Sequence, residues 1–408
     1  MKKLNFGVVG YGCRGSSLTK SILLNMEDVA VAAVCDAYPD RTEQAMNDVE
    51  QKSGKRPFGT TDYTELLSHG GLDAVLVAAA WEMHVEIAVE ALKRGIPVAL
   101  EVGGAYNLES LWEMVRTQER TGTPLMLMEN CCFGRQELLA TSLVRHGLLG
   151  EIVHCHGCYG HFLGDEIAGG LKNRHYRLRN YLLRNCDNYP THELGPIAKL
   201  LNINRGNQML SLVSVASKSA GMAEFLRTHR EEYPELTGKT FRQGDIVNTL
   251  ITCADGATIS LRLDTTLPRS YAREFTVRGT RGMYEQNCNM VYLAGEPETF
   301  NTQRFYRENM GNAAKYEPEY LPPVWSRMTE EQIRAGHGGI DSIEFRAFVD
   351  ALRAGTEMPI DVYDAAAWMS ITALSAASIA AGGAPQAIPD FTGGRWVMRE
   401  PKDVTEIN

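Results

Sequence analysis

Short apolar runs alternate with amphipathic stretches over the first third of the chain. An apolar run ends at Gly10, VAVAAVCD follows, and a helix is predicted near 64–68. Then come a strand at 73–79 (DAVLVAA), a helix at 84–94, a strand at 97–102 (PVALEV), a helix at 108–121 and a strand at 124–129 (PLMLME). Strands that are apolar throughout, each followed by a helix, predict a parallel sheet covered on both faces. Beyond residue 130 the pattern changes. MLSLVSVAS, IVNTLITC, TISLRLDTT, REFTVRG and MVYLA are joined through turn signals such as Ala254-Asp255-Gly256, which suits antiparallel pairing. Helices are expected at 341–354 and 365–381. Between them and the last strand, 295–336 is polar and rich in proline: an excursion that covers a cleft, meets a neighbouring subunit, or stays a disordered loop.

A length of 408 residues exceeds what one hydrophobic core usually serves, so two domains are expected: 1–130, 131–390, and a tail at 391–408. The formal net charge of −9 argues against a nucleic-acid partner, which needs a clustered basic surface. No run approaches the length of a membrane span, and ITALSAASIAAGGA, broken by Ser and Gly, reads as a packed small-residue helix. MKKLNFGVVG passes straight into a strand, leaving no room for a signal peptide. Nine cysteines without the density of a secreted scaffold read as free thiols in a reducing, cytoplasmic compartment.

The glycine turn carries the first chemistry. Gly10-Tyr11-Gly12-Cys13-Arg14-Gly15 is a G-x-G-x-x-G between a strand and a helix, with Asp36 closing the second strand. Together they predict a Rossmann dinucleotide site: the glycines admit the pyrophosphate, and the carboxylate bonds the ribose 2′-OH and repels a 2′-phosphate, which favours NAD over NADP. Ligands bind beyond the carboxyl ends of such strands, which selects Trp81-Glu82-Met83-His84, Glu101-Val102 and Glu129-Asn130 as cleft residues.

In the second domain, Tyr189-Pro190-Thr191-His192 stands out. His192 is either a proton-handling residue or an ordinary first-turn helix residue, with Thr191 as the cap and Leu194, Ile197, Leu200 and Leu201 as the apolar face. HCHGCYGH (154–161) contains a C-x-x-C, but side chains alternate along a strand, so Cys155 and Cys158 point to opposite faces; no metal site is expected. Cys131-Cys132 reads as buried thiols.

The chain resembles the Gfo/Idh/MocA oxidoreductases and, within them, glycoside hydrolase family 109, the NAD-dependent α-N-acetylgalactosaminidases. The resemblance rests on GYGCRG, CDAYPDR, WEMH, LEV, ENCCFGR, GEIVHCHGCYGH, YRLRN, NYPTHELGP, LNINRG, DTTLPRSYAR, GHGG and DVYDAAAW, from Gly7 to Trp368. It implies an open C-terminal sheet facing the nicotinamide. Implied cofactor contacts are Gly10, Gly12, Cys13, Arg14, Gly15, Asp36, Trp81 to His84, Glu101, Val102 and Asn130. Implied sugar contacts are Tyr159, Arg177, Tyr189, Thr191, His192 and Tyr271. Four departures stand out. Glu101-Val102-Gly103 lacks the lysine of the oxidoreductases' Glu-Lys-Pro, Ala79-Ala80 replaces Thr-Pro, and Cys186 and Glu193 occupy glycine positions beside the sugar motif.

The implied reaction is glycoside cleavage through transient oxidation of a ring hydroxyl, elimination, water addition and re-reduction with the same NAD. His192 is the base for the hydroxyl, Tyr271 or Tyr159 the base for C2, and Arg177 an orienting group. Two other readings stand beside it: a net sugar or cyclitol dehydrogenase or 3-keto-glycoside enzyme, and a non-catalytic NAD and sugar sensor. The expected partner is a small carbohydrate, with homo-oligomerisation through the C-terminal sheet.

Overall fold

The structure, a computed structural model, describes residues 2–334 and 336–407, save the side chains of 298 and 300. The chain forms two compact units: Met1–Asn130 with Met328–Ala366, and Cys131–Arg327 with Ala367–Asn408. The sequence reading has one crossing, at residue 130; here the chain returns to the first unit before finishing in the second.

The first unit is a six-stranded sheet. Its elements are β1 (Leu4–Val9), α1 (Cys13–Ser21), β2 (Val29–Cys35), α2 (Pro39–Ser53), β3 (Phe58–Thr60), α3 (Tyr63–Ser68), β4 (Ala74–Val77), α4 (Trp81–Lys93), β5 (Val98–Glu101), α5 (Leu108–Thr121) and β6 (Leu125–Met128). The strand order is β3-β2-β1-β4-β5-β6, and every pair is parallel. Strands β4, β5 and β6 are buried at every position, as a sheet covered on both faces requires. Order reverses between β1 and β4, the switch point at which such sheets leave a crevice. The helices start and stop where their chemistry dictates. Asp62 and Asn107 accept backbone N–H groups at the starts of α3 and α5, and left-handed Gly54 and Gly122 end α2 and α5. Helix α4 starts at Trp81, three residues before the predicted 84–94, so WEMH forms its first turn.

The returning segment adds the helix Ile340–Ala354 to this unit. Its Phe348 meets Phe6 of β1 edge to face, ring centroids 6.0 Å apart, both side chains fully buried. Arg346 and Arg353 close on Asp28.

The second unit contains α6 (Arg135–Arg145), β7 (Ile152–Gly160), α7 (Gly164–Ala168), α8 (Arg177–Leu183), α9 (Thr191–Leu200), β8 (Met209–Ala216), α10 (Gly221–Thr228), β9 (Ile246–Cys253), β10 (Thr258–Asp264), β11 (Thr276–Gly279), β12 (Gly282–Glu285), β13 (Met290–Leu293) and β14 (Gln386–Ala387). Its sheet runs β13-β12-β11-β7-β10-β9-β8-β14, with every pair antiparallel except β7–β10. Burial alternates along β9 and β10: one face is covered and the other open. Helix α9 packs on β7 and β10. The excursion at 295–336 is built of short helices, Thr302–Glu308, Glu317–Tyr320, Pro323–Ser326 and Glu330–Arg334, rather than a disordered loop. Arg135–Glu317 (2.6 Å) and Trp325 Nε1 to the Phe133 carbonyl (3.1 Å) fasten it to the start of α6. No helix among the described residues is long and apolar enough to cross a membrane.

Because Phe348 fills the core beneath β1, Phe348→Ala is expected to lower stability by about 3–5 kcal/mol, read as a lower midpoint for the first unit in urea unfolding.

Candidate functional site

The glycine loop between β1 and α1 is shaped by three different demands. Gly10 has φ +97°, and a Cβ on it would lie 2.5 Å from the Ala78 backbone at the end of β4. At Gly15 a Cβ would fall 2.0 Å from the Gly10 carbonyl oxygen, so only glycine lets α1 pack this close. Beside Gly12 the Cβ position is open, its nearest neighbour the Arg41 guanidinium at 3.6 Å. Space at Gly12 under the amino end of α1 is what a pyrophosphate needs. The loop therefore fits NAD on its own geometry.

Asp36, just past β2, accepts the Tyr11 N–H (2.7 Å) and the Tyr38 N–H (3.0 Å). These bonds fix its carboxylate at the loop and leave it lone pairs for a ribose hydroxyl. Cys13, the first residue of α1, is exposed.

Arg14 reaches the other end of the crevice. Its Nε donates to Glu101 Oε1 (3.1 Å), and its two terminal nitrogens bind Asp341 bidentately at 2.8 and 3.0 Å. Asn130 Nδ2 donates to Asp341 Oδ1 (2.7 Å), and His337 Nδ1 lies 2.9 Å from Oδ2. Burial would raise the Asp341 carboxyl, but His337 and Arg14 outweigh it and hold it well below the usual carboxylate range. Arg14, Glu101 and Asn130, selected from sequence, are thus brought together by an aspartate that sequence reasoning missed. GHGG, which ends two positions before Asp341, was the available signal.

Trp81 opens α4 almost fully buried, and its ring fills the space where Gly103 would carry a Cβ, 2.6 Å from its Cδ1. A side chain at that position would require the indole to move. His84 is buried in α4 with Nε2 against the Ala79 carbonyl (2.9 Å); burial lowers its pKa to about 4, so it is a neutral prop for the loop 78–81. Val102 is buried beside Glu101.

In the second unit the sugar-side residues also converge. Tyr159, at the end of β7, stacks obliquely on Tyr189 (4.7 Å between centroids) and meets His192 edge-on (5.6 Å). His192 lies against Tyr189, with Nε2 3.4 Å from the phenol oxygen. The Arg177 guanidinium sits 5.0 Å from the Tyr189 ring centre, and its Nε is 2.6 Å from Glu166 of α7. Burial opposes the charge on Arg177, but Tyr159 and Glu166 outweigh it and hold the guanidinium firmly protonated. Burial pushes the Tyr159 phenol up to about 12, with Arg177 opposing. Tyr159 is therefore a phenol near neutrality, which argues against the phenolate role allowed for it on sequence. Tyr271 is half-exposed and meets His161 edge-on at 5.2 Å; the bridge between Gly160 and Ala272 holds it near β7.

His161 links this group, its Nδ1 3.2 Å from the Tyr159 hydroxyl. Neither His161 nor Glu166 was selected from sequence; only the two-residue spacing of Tyr159 and His161 hinted at a shared face. Thr191 does not cap α9: Pro190 holds that position without a side-chain bond, and Thr191 is fully buried. Cys186 belongs to the core, its N–H and carbonyl both bonded to Gln243. Cys155 lies near Cys253 and Asp255, whereas Cys158 lies near Glu193 and Arg269.

Residues 4–129 match the profile described as the oxidoreductase family, NAD-binding Rossmann fold, and residues 133–398 match the glycosyl hydrolase 109 C-terminal domain. The chain is 36% identical to a glycosyl hydrolase family 109 protein of Stenotrophomonas maltophilia, over 98% of this chain and 91% of that one. With an alpha-N-acetylgalactosaminidase of Tannerella forsythia the identity is 35%, over 98% and 88%. Among solved structures, levoglucosan dehydrogenase in complex with NADH and L-sorbose has a TM-score of 0.72 at 17% identity, covering 96% of this chain and all of the other. An oxidoreductase of Agrobacterium radiobacter with NAD+, L-tartaric acid and magnesium gives 0.67 at 18%, over 95% and 99%. These two likenesses establish the shared fold.

Gly15→Ala is expected to weaken NAD binding at least about tenfold, roughly 1.4 kcal/mol, in isothermal titration calorimetry. Asp36→Asn should lower NAD affinity and narrow the preference for NAD over NADP; an unchanged ratio would remove Asp36 from ribose recognition.

Proposed function

This chain belongs to glycosyl hydrolase family 109, and from that membership we propose that it cleaves a small glycoside, an α-N-acetylgalactosaminide or a close relative, by a redox cycle with no net oxidation. The observation that carries the reading is the clustering of His192 with Tyr189, Tyr159 and Arg177. A hydrolase of the usual kind needs two carboxylates free to flank the scissile bond. Two carboxylates beside this cluster are committed elsewhere: Glu166 to Arg177, and Glu193 to the backbone N–H groups of Tyr159 and Arg262. Val102, buried beside Glu101, stands at the position of the lysine of the dehydrogenase pattern, so that lysine is not available here.

NAD, held by the glycine loop, Asp36 and the surroundings of Arg14, supplies a two-electron acceptor and donor for a ring hydroxyl and its ketone. His192 takes the proton of that hydroxyl on oxidation and returns it at the end of the turnover. The ketone acidifies the neighbouring C2 hydrogen, and the anomeric group leaves by elimination. Tyr271, beside His161, is also held by burial as a phenol above the usual range, so it serves C2 through water rather than as a phenolate. Tyr159, held as a phenol, donates a hydrogen bond to a sugar oxygen, with His161 behind it as the next stop for a proton. Arg177 orients a hydroxyl or the acetamido carbonyl with its forked donors, and Glu166 keeps the fork in place. Water then adds at C1. We place the protein in the cytoplasm, and the open face of the second sheet is the surface we assign to self-association.

A panel of nitrophenyl glycosides tests the substrate class. Turnover in D2O is expected to leave deuterium at C2 without NADH accumulating; NADH rising in proportion to product would instead establish a net dehydrogenase. His192→Ala should lower kcat by about 10²- to 10⁴-fold while NAD stays bound. An unchanged rate would exclude His192 from the chemistry.

A further inference from the structure

Asp187 and Glu193 lie on either side of the Tyr189–His192 turn, and both side chains are buried. Glu193 Oε2 accepts the backbone N–H of Tyr159 in β7 (3.0 Å) and of Arg262 in β10 (3.1 Å). It thus bridges the single parallel strand pair where Tyr159 leaves it. Gly157 makes this approach possible, since a Cβ there would stand 2.3 Å from the Glu193 carbonyl oxygen. The remaining carboxyl oxygens, Glu193 Oε1 and both of Asp187, are buried, and the Asp187 carboxyl faces that of Glu193 and the backbone N–H of Tyr189. Two buried ionised carboxylates without a counter-ion are scarcely tolerable; one proton held between them removes a charge and supplies a donor.

We propose that Asp187 and Glu193 form a proton-sharing pair that ties the first turn of α9, and with it His192, to Tyr159 of β7. As positioning residues they serve the reaction proposed above, and that part of the inference rests on it. Burial pushes both carboxyls up, and Asp187 raises Glu193 further. Glu193 also raises the Cys158 thiol of β7, and Asp187 the Cys186 thiol, which Arg184 opposes. Arg262 of β10 meets Glu193 through its backbone N–H, while its guanidinium goes to Glu274. The sign of the pH effect follows. A carboxyl raised in the fold contributes stability that is complete below its unfolded pKa and is lost as pH rises through the folded value. This pair therefore stabilises the second unit as pH falls from neutral to mildly acidic, the reverse of a salt-bridged carboxylate.

Infrared spectroscopy of the full-length protein with its NAD tests the shared proton directly. A carbonyl stretch of a protonated, buried carboxylic acid is expected at neutral pH, lost in Asp187→Asn and in Glu193→Gln. Its absence from the unsubstituted protein would overturn the pair. Positioning is read by NMR titration of the His192 imidazole, which should move in Glu193→Ala and be restored in Glu193→Gln, whose amide still accepts from the two strands. In parallel, kcat should fall about 10- to 100-fold in Glu193→Ala with NAD affinity unchanged. A His192 titration identical in all three proteins would overturn the positioning role. If the unsubstituted protein cleaves no glycoside, the infrared and NMR results still decide on the pair, and only the functional reading falls.

Discussion

The bidentate pairing of Arg14 with Asp341 is the constraint around which the nucleotide-binding unit is built. A guanidinium in the glycine loop could satisfy its charge with solvent. Here it is turned inward, between Glu101 at the end of β5 and an aspartate from the returning segment. Asn130 and His337 complete the same carboxylate, so the ends of β1, β5 and β6 and the returning segment share one hydrogen-bonded knot. A partly buried ion pair has to overcome the cost of desolvating both partners, and the planar fork does so by making two aligned bonds at once. Glu344, one helical turn beyond Asp341, lies fully buried next to this knot with its carboxyl pushed well up by burial and by Asp341 and Glu101. A neutral acid in that place avoids adding a further negative charge to the group.

What was legible in the sequence follows from the range of the forces involved. Five strands of the parallel sheet could be read because burial leaves a largely apolar run, whereas the three-residue edge strand β3, never fully buried, went unread; the glycine loop was legible because each glycine answers a local steric demand. The C-terminal strands were legible through alternation, yet β12 went unnoticed: GMYE is too short to display a period. The β7–β10 pair runs parallel within a sheet otherwise antiparallel, and nothing in either strand's sequence announces it. Asp341, His161 and Glu166 stayed hidden for a related reason. Their roles are set by partners brought close by the fold, and a lone Asp, His or Glu carries no such label. Thr191 shows the opposite error, a residue with the right identity for a cap whose backbone sits one position too far along the helix.

The sugar-side cluster sets aromatic rings around the Arg177 guanidinium. Tyr159 is kept protonated, Arg177 kept charged, and the acids are either neutralised by a guanidinium or turned toward backbone amides. Such surroundings suit a reaction in which charge builds transiently on a sugar oxygen, because the groups that meet it are donors held in place before it forms. They suit far less a reaction in which a carboxylate must attack. Glu166 and Glu193 serve as structure, the first through a guanidinium and the second through backbone hydrogen bonds.

The return of residues 328–366 to the first unit has a consequence for how the protein is made. Arg14 leaves the ribosome 327 residues ahead of its aspartate. Phe6 likewise waits for Phe348. Six parallel strands can assemble early with Glu101 already beside Arg14, but its bidentate partner is added only with the returning segment. A chain that stops short of this segment keeps the strands of the sheet and loses the carboxylate that joins Arg14, Asn130 and His337.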